Sequence, residues 1–305
     1  MIGRELRAEL SEELGPAVRF DVPLARLTSL RVGGPVEAVA SPANRAQLCA
    51  TLRRLARARV PHFVLGGGFN SLALDAPVAG VVIQLSRWRR LEERPGGALR
   101  VEAGVSHSQL TRFCCDRGFS GLEFGAGIPG SIGGWIAMNA GIPGREVGDR
   151  VLEIEVASPT GTGIAHLPRS VLHFRYRSLR GLAPGSVILS ALLRIDHETP
   201  AAVRAAVDEL LARREKTQPL SVPSCGSVFK NPPGDFAGRL IEAAGLKGHR
   251  VGGAQISPLH ANFIANLGGA TASDVMELIR LAKERVRAQS GTRLECEVRI
   301  VGGAA

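Results

Sequence analysis

Residues 127–141, GIPGSIGGWIAMNAG, hold five glycines (Gly127, Gly130, Gly133, Gly134 and Gly141) in a stretch that is otherwise largely apolar. Glycine inside regular structure costs roughly 0.5–1 kcal/mol against alanine. A solvated linker would be polar rather than apolar. Two uses of so much buried glycine remain: backbone packed on backbone, or backbone held against a ligand. The spacing predicts a helix starting near Ser131 with its first amides aimed at an anion; a tight helix crossing in the core is the alternative. A second glycine run, Gly66-Gly67-Gly68-Phe69-Asn70-Ser71, follows an expected short strand at 62–65. Successive N–H groups in such a loop make a concave anion site, with a plain tight turn as the alternative. No Gly-Lys-Ser/Thr follows, so it is not a phosphate-binding P-loop, and Ser71 breaks the GxGxxG dinucleotide pattern. Two such loops in one region point to a nucleotide cofactor.

Hydrophobic periodicity predicts helices over 3–14, 43–58, 106–116, 200–214, 235–244 and 272–287. Within 200–214 the inward set is Val203, Val207, Leu210 and Leu211; within 272–287 it is Val275, Leu278, Ile279, Ala282 and Val286. Strands are expected over 62–65, 78–85, 98–105, 151–158, 163–167 and 187–195, with a hairpin turn at Pro159-Thr160-Gly161-Thr162. The segment 294–300 alternates, with Leu294, Cys296, Val298 and Ile300 on one side and Glu295, Glu297 and Arg299 on the other. A strand-rich region thus runs to residue 197, and a helix-rich α+β region occupies 198–305.

The net charge is +10, which suits a polyanionic partner. Much of the excess is arginine scattered along helices such as 52–57, the pattern of a solvated face. One tyrosine and two tryptophans leave little surface for stacking bases, and there is no zinc-finger spacing; nucleic acid is not an expected partner. Five cysteines, none in CxxC, form neither a disulfide framework nor a metal cluster. His249 and His260 lack an HxxxH or a paired carboxylate, so no metal is expected. No run approaches the ~18 apolar residues of a membrane span, and the amphipathic start is not a signal peptide. A cytoplasmic monomer is the expectation.

Three further stretches carry chemistry. Phe174-Arg175-Tyr176-Arg177-Ser178 holds the one tyrosine between two arginines. An arginine in a cleft holds a carboxylate or a developing oxyanion; a surface arginine run is the alternative. Ser224-Cys225-Gly226-Ser227-Val228-Phe229-Lys230-Asn231-Pro232 reads as a site loop. With no GxSxG around it, Ser227 is not a hydrolase nucleophile, but its hydroxyl can donate a proton; a turn serine is the alternative. Cys225 has no histidine partner in view and is read as packing. Glu297 lies on the polar face of the last strand, where a solvated role is the alternative.

The ordered set of motifs resembles UDP-N-acetylenolpyruvoylglucosamine reductases, the MurB family. Those motifs are Thr28-Ser29-Leu30-Arg31-Val32-Gly33-Gly34, Leu65–Asp75, Gly127–Gly141, Tyr176-Arg177-Ser178, Gly226–Pro232, Gly252-Gly253-Ala254-Gln255 with His260-Ala261-Asn262-Phe263, and Glu297-Val298-Arg299-Ile300. The resemblance spans nearly the whole chain. It implies an α+β protein with a two-lobed FAD-binding domain of the vanillyl-alcohol-oxidase type over 1–197. A smaller α+β substrate-binding domain then covers 198–305. It implies noncovalent FAD, NADPH as hydride donor, and hydride transfer to UDP-N-acetylglucosamine enolpyruvate to give UDP-N-acetylmuramate. By position, Ser227 would protonate the substrate carbon, and Arg177 and Glu297 would stabilise charge on the enolpyruvyl carboxylate. Tyr176, Lys216, Lys230, Asn231 and Gln255 would meet the substrate. Gly66, Gly67, Gly68, Asn70, Ser71, Gly127, Pro129, Gly130, Ser131, Gly133 and Gly134 would hold FAD. Another oxidoreductase of the same flavin fold is the alternative; a basic nucleic-acid-binding protein is the third reading.

The chain departs from that pattern in places. Phe69 stands where the family has serine, Trp135 where it has a small residue, and Ile142-Pro143-Gly144 follows the second glycine segment. Arg177 and Ser227 lie fifty positions apart. That resembles the shorter subtype, which lacks the inserted loop whose tyrosine covers the substrate.

Overall fold

The computed structural model describes residues 2–302. Its α-helices are α1 (Arg4–Leu14), α2 (Arg45–Arg57), α3 (His107–Arg117), α4 (Ile132–Met138), α5 (Pro200–Thr217), α6 (Ala237–Ala243) and α7 (Ala272–Ser290). They start and stop where local chemistry requires. Asn44 caps α2 through the Gln47 N–H, and Ser106 and Gln109 form a reciprocal capping box on α3. Gly118, left-handed at φ +67°, ends α3.

The chain forms two compact units, neither continuous in sequence. One comprises residues 1–20, 37–66 and 79–213; the other comprises 21–36, 67–78 and 214–305. The first carries an antiparallel five-stranded sheet in the order Ile164–Pro168, Val151–Ala157, Val187–Arg194, Ala98–Glu102, Leu91–Arg94. The hairpin expected at Pro159–Thr162 is present, with Ala157 opposite Ile164. α3 and α4 bury Leu110, Ile132, Trp135 and Ile136 against this sheet's Leu99, Val101, Ile154 and Ala191. A second sheet, ordered Val18–Pro23, Pro35–Ala40, Val78–Ile83, His62–Val64, packs with α1 and α2 around Leu10, Leu48, Leu52 and Ile83.

The other unit is built on a four-stranded antiparallel sheet in the order Ser224–Ser227, Phe263–Asn266, Ala254–Ile256, Arg250–Val251. Every apolar position expected on α7 is buried in this core, beside Leu240 and Ile241 of α6. The N-terminus of α7 is held from far along the chain. The Asp75 carboxylate accepts the N–H groups of Ala272 (2.8 Å) and Ser273 (3.0 Å).

Two expectations fail. In α5 only Val203 and Val207 are buried, against Cys115 and Ala126, while Leu211 is 40% exposed. That apolar contact is short, and the helix outruns it. At the C-terminus only Arg299–Val301 is strand, paired in parallel with Ser71–Ala73, and Ile300 faces solvent. The alternation reads correctly only at Leu294 and Val298, which are buried, with Cys296 half-buried beside them.

Candidate active site

In the first unit the second glycine segment is fastened along residues 103–107. The His107 N–H donates to the Gly130 carbonyl (3.2 Å), Ile132 N–H to Val105 (2.9 Å), and Gly133 N–H to Ala103 (2.9 Å). A Cβ on Gly133 would stand 3.0 Å from Ala103 Cβ, so close packing of backbone accounts for that glycine. Gly127 (φ +71°) and Gly130 (φ +115°) turn the chain through conformations closed to most side chains. α4 starts after Ser131 as expected. Its first two amides, however, are consumed by Val105 and Ala103, so the expectation that they point at an anion is corrected.

A still tighter approach occurs one step away. Gly66 faces Ser131, and a Cβ on Gly66 would come 2.5 Å from the Ser131 Oγ. That hydroxyl makes no cap to its own helix. The Ser131 hydroxyl and the exposed Gly66 backbone, packed close together, are donors of the kind that phosphate oxygens accept from. The residues present therefore fit a pyrophosphate-bearing cofactor. Gly134 also borders the Ser131 hydroxyl, at 3.7 Å from an added Cβ, and Pro129 is exposed in the same turn. The bulky Trp135 is accommodated by the bare backbone of Gly125 opposite it, since a Cβ there would meet the indole at 2.9 Å.

α4 ends on Asn139, left-handed at φ +43° and almost wholly buried. Its side chain accepts from the Gly148 N–H (2.9 Å) and donates to the Arg175 carbonyl (3.0 Å) and to the Glu146 carboxylate (2.6 Å). Arg175 opens the hairpin His173–Arg175/Ser178–Arg180, with Tyr176 and Arg177 as its two-residue turn. Arg177 is left-handed at φ +55°, which costs about 1–2 kcal/mol for a non-glycine residue. Its Nη2 donates to the Gly141 carbonyl (3.3 Å), its Nη1 stands 4.0 Å from Glu146, and its guanidinium lies 4.9 Å from the Tyr176 ring centre. The hairpin places Arg177 at the end of the second glycine segment. Tyr176 is exposed beside it.

In the second unit the first glycine loop and the Ser227 segment come together. Gly68 (φ +67°) passes so close to Leu27 and Thr28 that a Cβ would meet the Leu27 carbonyl at 2.2 Å. The Ser29 hydroxyl lies within hydrogen-bonding distance of the Gly68 and Ser224 carbonyls, 3.2 and 2.7 Å away. Asn70 donates to the Glu297 carbonyl (3.1 Å) and Ser71 is buried in the strand beside Arg299, so both knit the loop to the C-terminal strand. Phe69 is 39% exposed. Gly67 is exposed where the chain passes from one unit to the other.

Ser227 follows Gly226, whose φ of +73° bends the strand, and pairs with Phe263. The carbonyl of the next residue, Val228, accepts the N–H groups of Glu297 (2.8 Å) and Val298 (3.2 Å). Ser227 and Glu297 are thus carried on two segments joined at one carbonyl. Asn262 fixes the same segment, accepting from Phe229 N–H (2.9 Å) and donating to its carbonyl (2.8 Å). Cys225 is fully buried, and burial pushes its thiol up to about 12, so it packs rather than reacts. Burial lowers the His260 pKa. Lys230 is ion-paired with Glu295 at 2.5 Å, Asn231 caps Ala237 N–H at 3.0 Å, and Gln255 donates to the Gly248 carbonyl at 3.0 Å. Lys216 is exposed near the end of α5. Sequence reasoning passed over Ser29, Asn139, Glu146 and Asn262. All but Glu146 lie inside motifs already quoted, but nothing local marks their side chains as brackets between distant segments.

Comparison with known proteins now bears on this geometry. Residues 218–301 match the family described as UDP-N-acetylenolpyruvoylglucosamine reductase, C-terminal domain, and residues 36–165 match the FAD binding domain family. A UDP-N-acetylenolpyruvoylglucosamine reductase of Anaeromyxobacter sp. (strain K) is 49% identical over 92% of this chain and 85% of its own length. The chain belongs to the UDP-N-acetylenolpyruvoylglucosamine reductase family. The Geobacter sulfurreducens member is 44% identical over 97% of this chain and 98% of its own. The crystal structure of the Thermus caldophilus reductase aligns with a TM-score of 0.80 at 35% identity, covering 93% of this chain and all of the other. A berberine bridge enzyme, 15% identical with a TM-score of 0.52 over 65% of this chain and 44% of its own, shares the fold alone. The expected α+β flavoprotein fold is the one observed. No helix among the described residues is long and apolar enough to cross a membrane.

Proposed function

We propose that this chain is an FAD-dependent, NADPH-using reductase that converts UDP-N-acetylglucosamine enolpyruvate to UDP-N-acetylmuramate in peptidoglycan precursor synthesis. The observation that carries this reading is family membership at 49% identity over 92% of the chain. The local geometry of Ser227, Glu297 and Arg177 supports it. The protein acts as a cytoplasmic monomer without nucleic-acid or membrane partners and binds FAD noncovalently.

FAD, when bound, would supply the hydride chemistry that links NADPH to the enolpyruvyl double bond. The chain holds that cofactor with Gly66, Gly67, Gly68, Asn70 and Ser71 of the first loop and with Gly127, Pro129, Gly130, Ser131, Gly133 and Gly134 of the second. Of these, Gly66 and the Ser131 hydroxyl offer the bare backbone and donor that a pyrophosphate needs, and Asn70 and Ser71 shape the loop. Hydride addition leaves negative charge on the substrate carboxylate, and the Arg177 guanidinium and, in its protonated form, Glu297 are the groups that hold and polarise it. The Ser227 hydroxyl then delivers a proton to the adjacent carbon. A serine is a weak acid in water, so the step depends on fixed placement; the bend at Gly226 and the tie from Val228 to Glu297 supply it. Lys216, Lys230, Asn231, Gln255 and Tyr176 are the further groups that would meet the substrate. Lys230 must exchange Glu295 for a substrate anion, and that exchange costs little because exposed ion pairs contribute about 0–1 kcal/mol.

The test separates the two half-reactions. Ser227→Ala is expected to keep FAD reduction by NADPH within about twofold of the parent. Anaerobic reoxidation by the enolpyruvyl substrate should slow by about 10²–10⁴, the range of a lost general acid. Slow reduction with normal reoxidation would reverse the assignment of Ser227. Parent protein that is reduced but stays bleached when substrate is added would refute the substrate itself.

A further inference from the structure

Arg177 adopts a backbone conformation that is unfavourable for arginine, at the second position of a two-residue turn where glycine or asparagine is the usual choice. Strain of this kind persists only where surrounding structure over-determines it. Here the surroundings converge on one buried amide. Asn139 holds the turn's entry through the Arg175 carbonyl and holds Glu146 through its carboxylate, while its own carbonyl accepts from Gly148. Glu146 is itself fixed, because its carboxylate caps the Asp149 N–H and the Asp149 carboxylate accepts from the Glu146 N–H. The far carboxylate oxygen faces Arg177 Nη1 at 4.0 Å, and the other terminal nitrogen reaches the Gly141 carbonyl.

We infer that Glu146, oriented by Asn139, is the positioning residue for the Arg177 guanidinium. It fixes the direction in which that cation meets the anionic carboxylate of the substrate and does not itself touch substrate. This rests on the reading that Arg177 serves the substrate carboxylate. The charges favour the arrangement: a side chain with several rotatable bonds is pinned at one end by a left-handed backbone and at the other by a carboxylate, a carbonyl and an aromatic ring. The 4.0 Å separation leaves the pair looser than a bidentate salt bridge.

The experiment uses the FAD-loaded protein and the isosteric Glu146→Gln, which keeps an acceptor for Asn139 and removes the charge. Expected results are unchanged FAD content and melting temperature, and NADPH reduction within twofold. Reoxidation by the enolpyruvyl substrate should be about tenfold slower, with its dissociation constant changed less than threefold. In an Arg177→Ala background the same Glu146→Gln change should have no further effect. A tenfold loss that persists in that background would place Glu146 elsewhere in the mechanism and overturn the inference, as would reoxidation at the parental rate. A crystal structure of Glu146→Gln supplies a readout independent of turnover. The guanidinium is expected to leave the Gly141 carbonyl, and a guanidinium still seated there would refute positioning. If the parent protein itself fails to reoxidise, the proposed substrate falls while the crystallographic result still judges the Glu146–Arg177 link.

Discussion

Replacing Glu155 by glutamine should weaken the first unit by an amount that its surroundings allow to be worked out. Glu155 sits mid-strand at 4% exposure. It accepts two hydrogen bonds from Arg45, to Nε at 2.6 Å and Nη2 at 2.5 Å, and a third from the Ser190 hydroxyl at 2.9 Å on the adjacent strand. Burial alone would raise the carboxyl pKa, but the bonds from Arg45 and Ser190 outweigh it and hold the pKa below its ordinary value. Removing one partner of a buried pair costs about 3–5 kcal/mol when the other charge is stranded. Here Arg45 is 45% exposed and can turn to water, and glutamine still accepts one bond. The expected loss is therefore about 2 kcal/mol, or roughly 4–8 °C at about 2–4 °C per kcal/mol for a unit of this size. Trp88 and Trp135 both lie in this unit, so urea unfolding followed by tryptophan fluorescence reports it directly. Because the folded pKa is depressed, the advantage of glutamate is fully present above the unfolded value near ~4.3. It is lost as pH falls through the folded value, so the gap between parent and variant should narrow below about pH 4. A difference under about 0.5 kcal/mol at pH 7, or one that does not narrow in acid, would refute the argument.

Gly66→Ala should lower the melting temperature and raise the FAD dissociation constant by about tenfold or more, measured by flavin fluorescence titration, because its methyl group collides with the Ser131 hydroxyl at 2.5 Å and displaces the loop. Adding Ser131→Ala leaves only a 3.6 Å contact to Ser131 Cβ, so it should restore melting temperature without restoring FAD affinity; unchanged affinity in Gly66→Ala would remove Gly66 from the cofactor site. Cys114 and Cys225, both pushed up to about 12 by burial, should resist a disulfide reagent at pH 8 in the folded protein and react after denaturation. Rapid labelling of Cys225 in the native state would show the Ser227 segment to be open.

The local code was legible where it is local. The helix spans, the apolar face of α7 and the hairpin at 159–162 follow from side-chain periodicity and turn chemistry, which act over a few residues. The start of α4 after Ser131 follows likewise. Resemblance of ordered motifs to a known family gave the cofactor and substrate class. Residue types and spacing could not say what each glycine packs against. Those neighbours are set by the fold, Ala103 for Gly133 and Ser131 for Gly66. Nor could they say that α4's first amides are already bonded, that Leu211 and Ile300 face water, or that residues 21–36 and 67–78 belong to the unit built by residues 214–305. Chain order likewise hid Asn139 and Glu146, which bracket Arg177 from 38 and 31 positions away. Amphipathicity reports that a side chain has an inside, whereas the identity of its partner is fixed only when distant segments close on one another and each buried donor must find an acceptor.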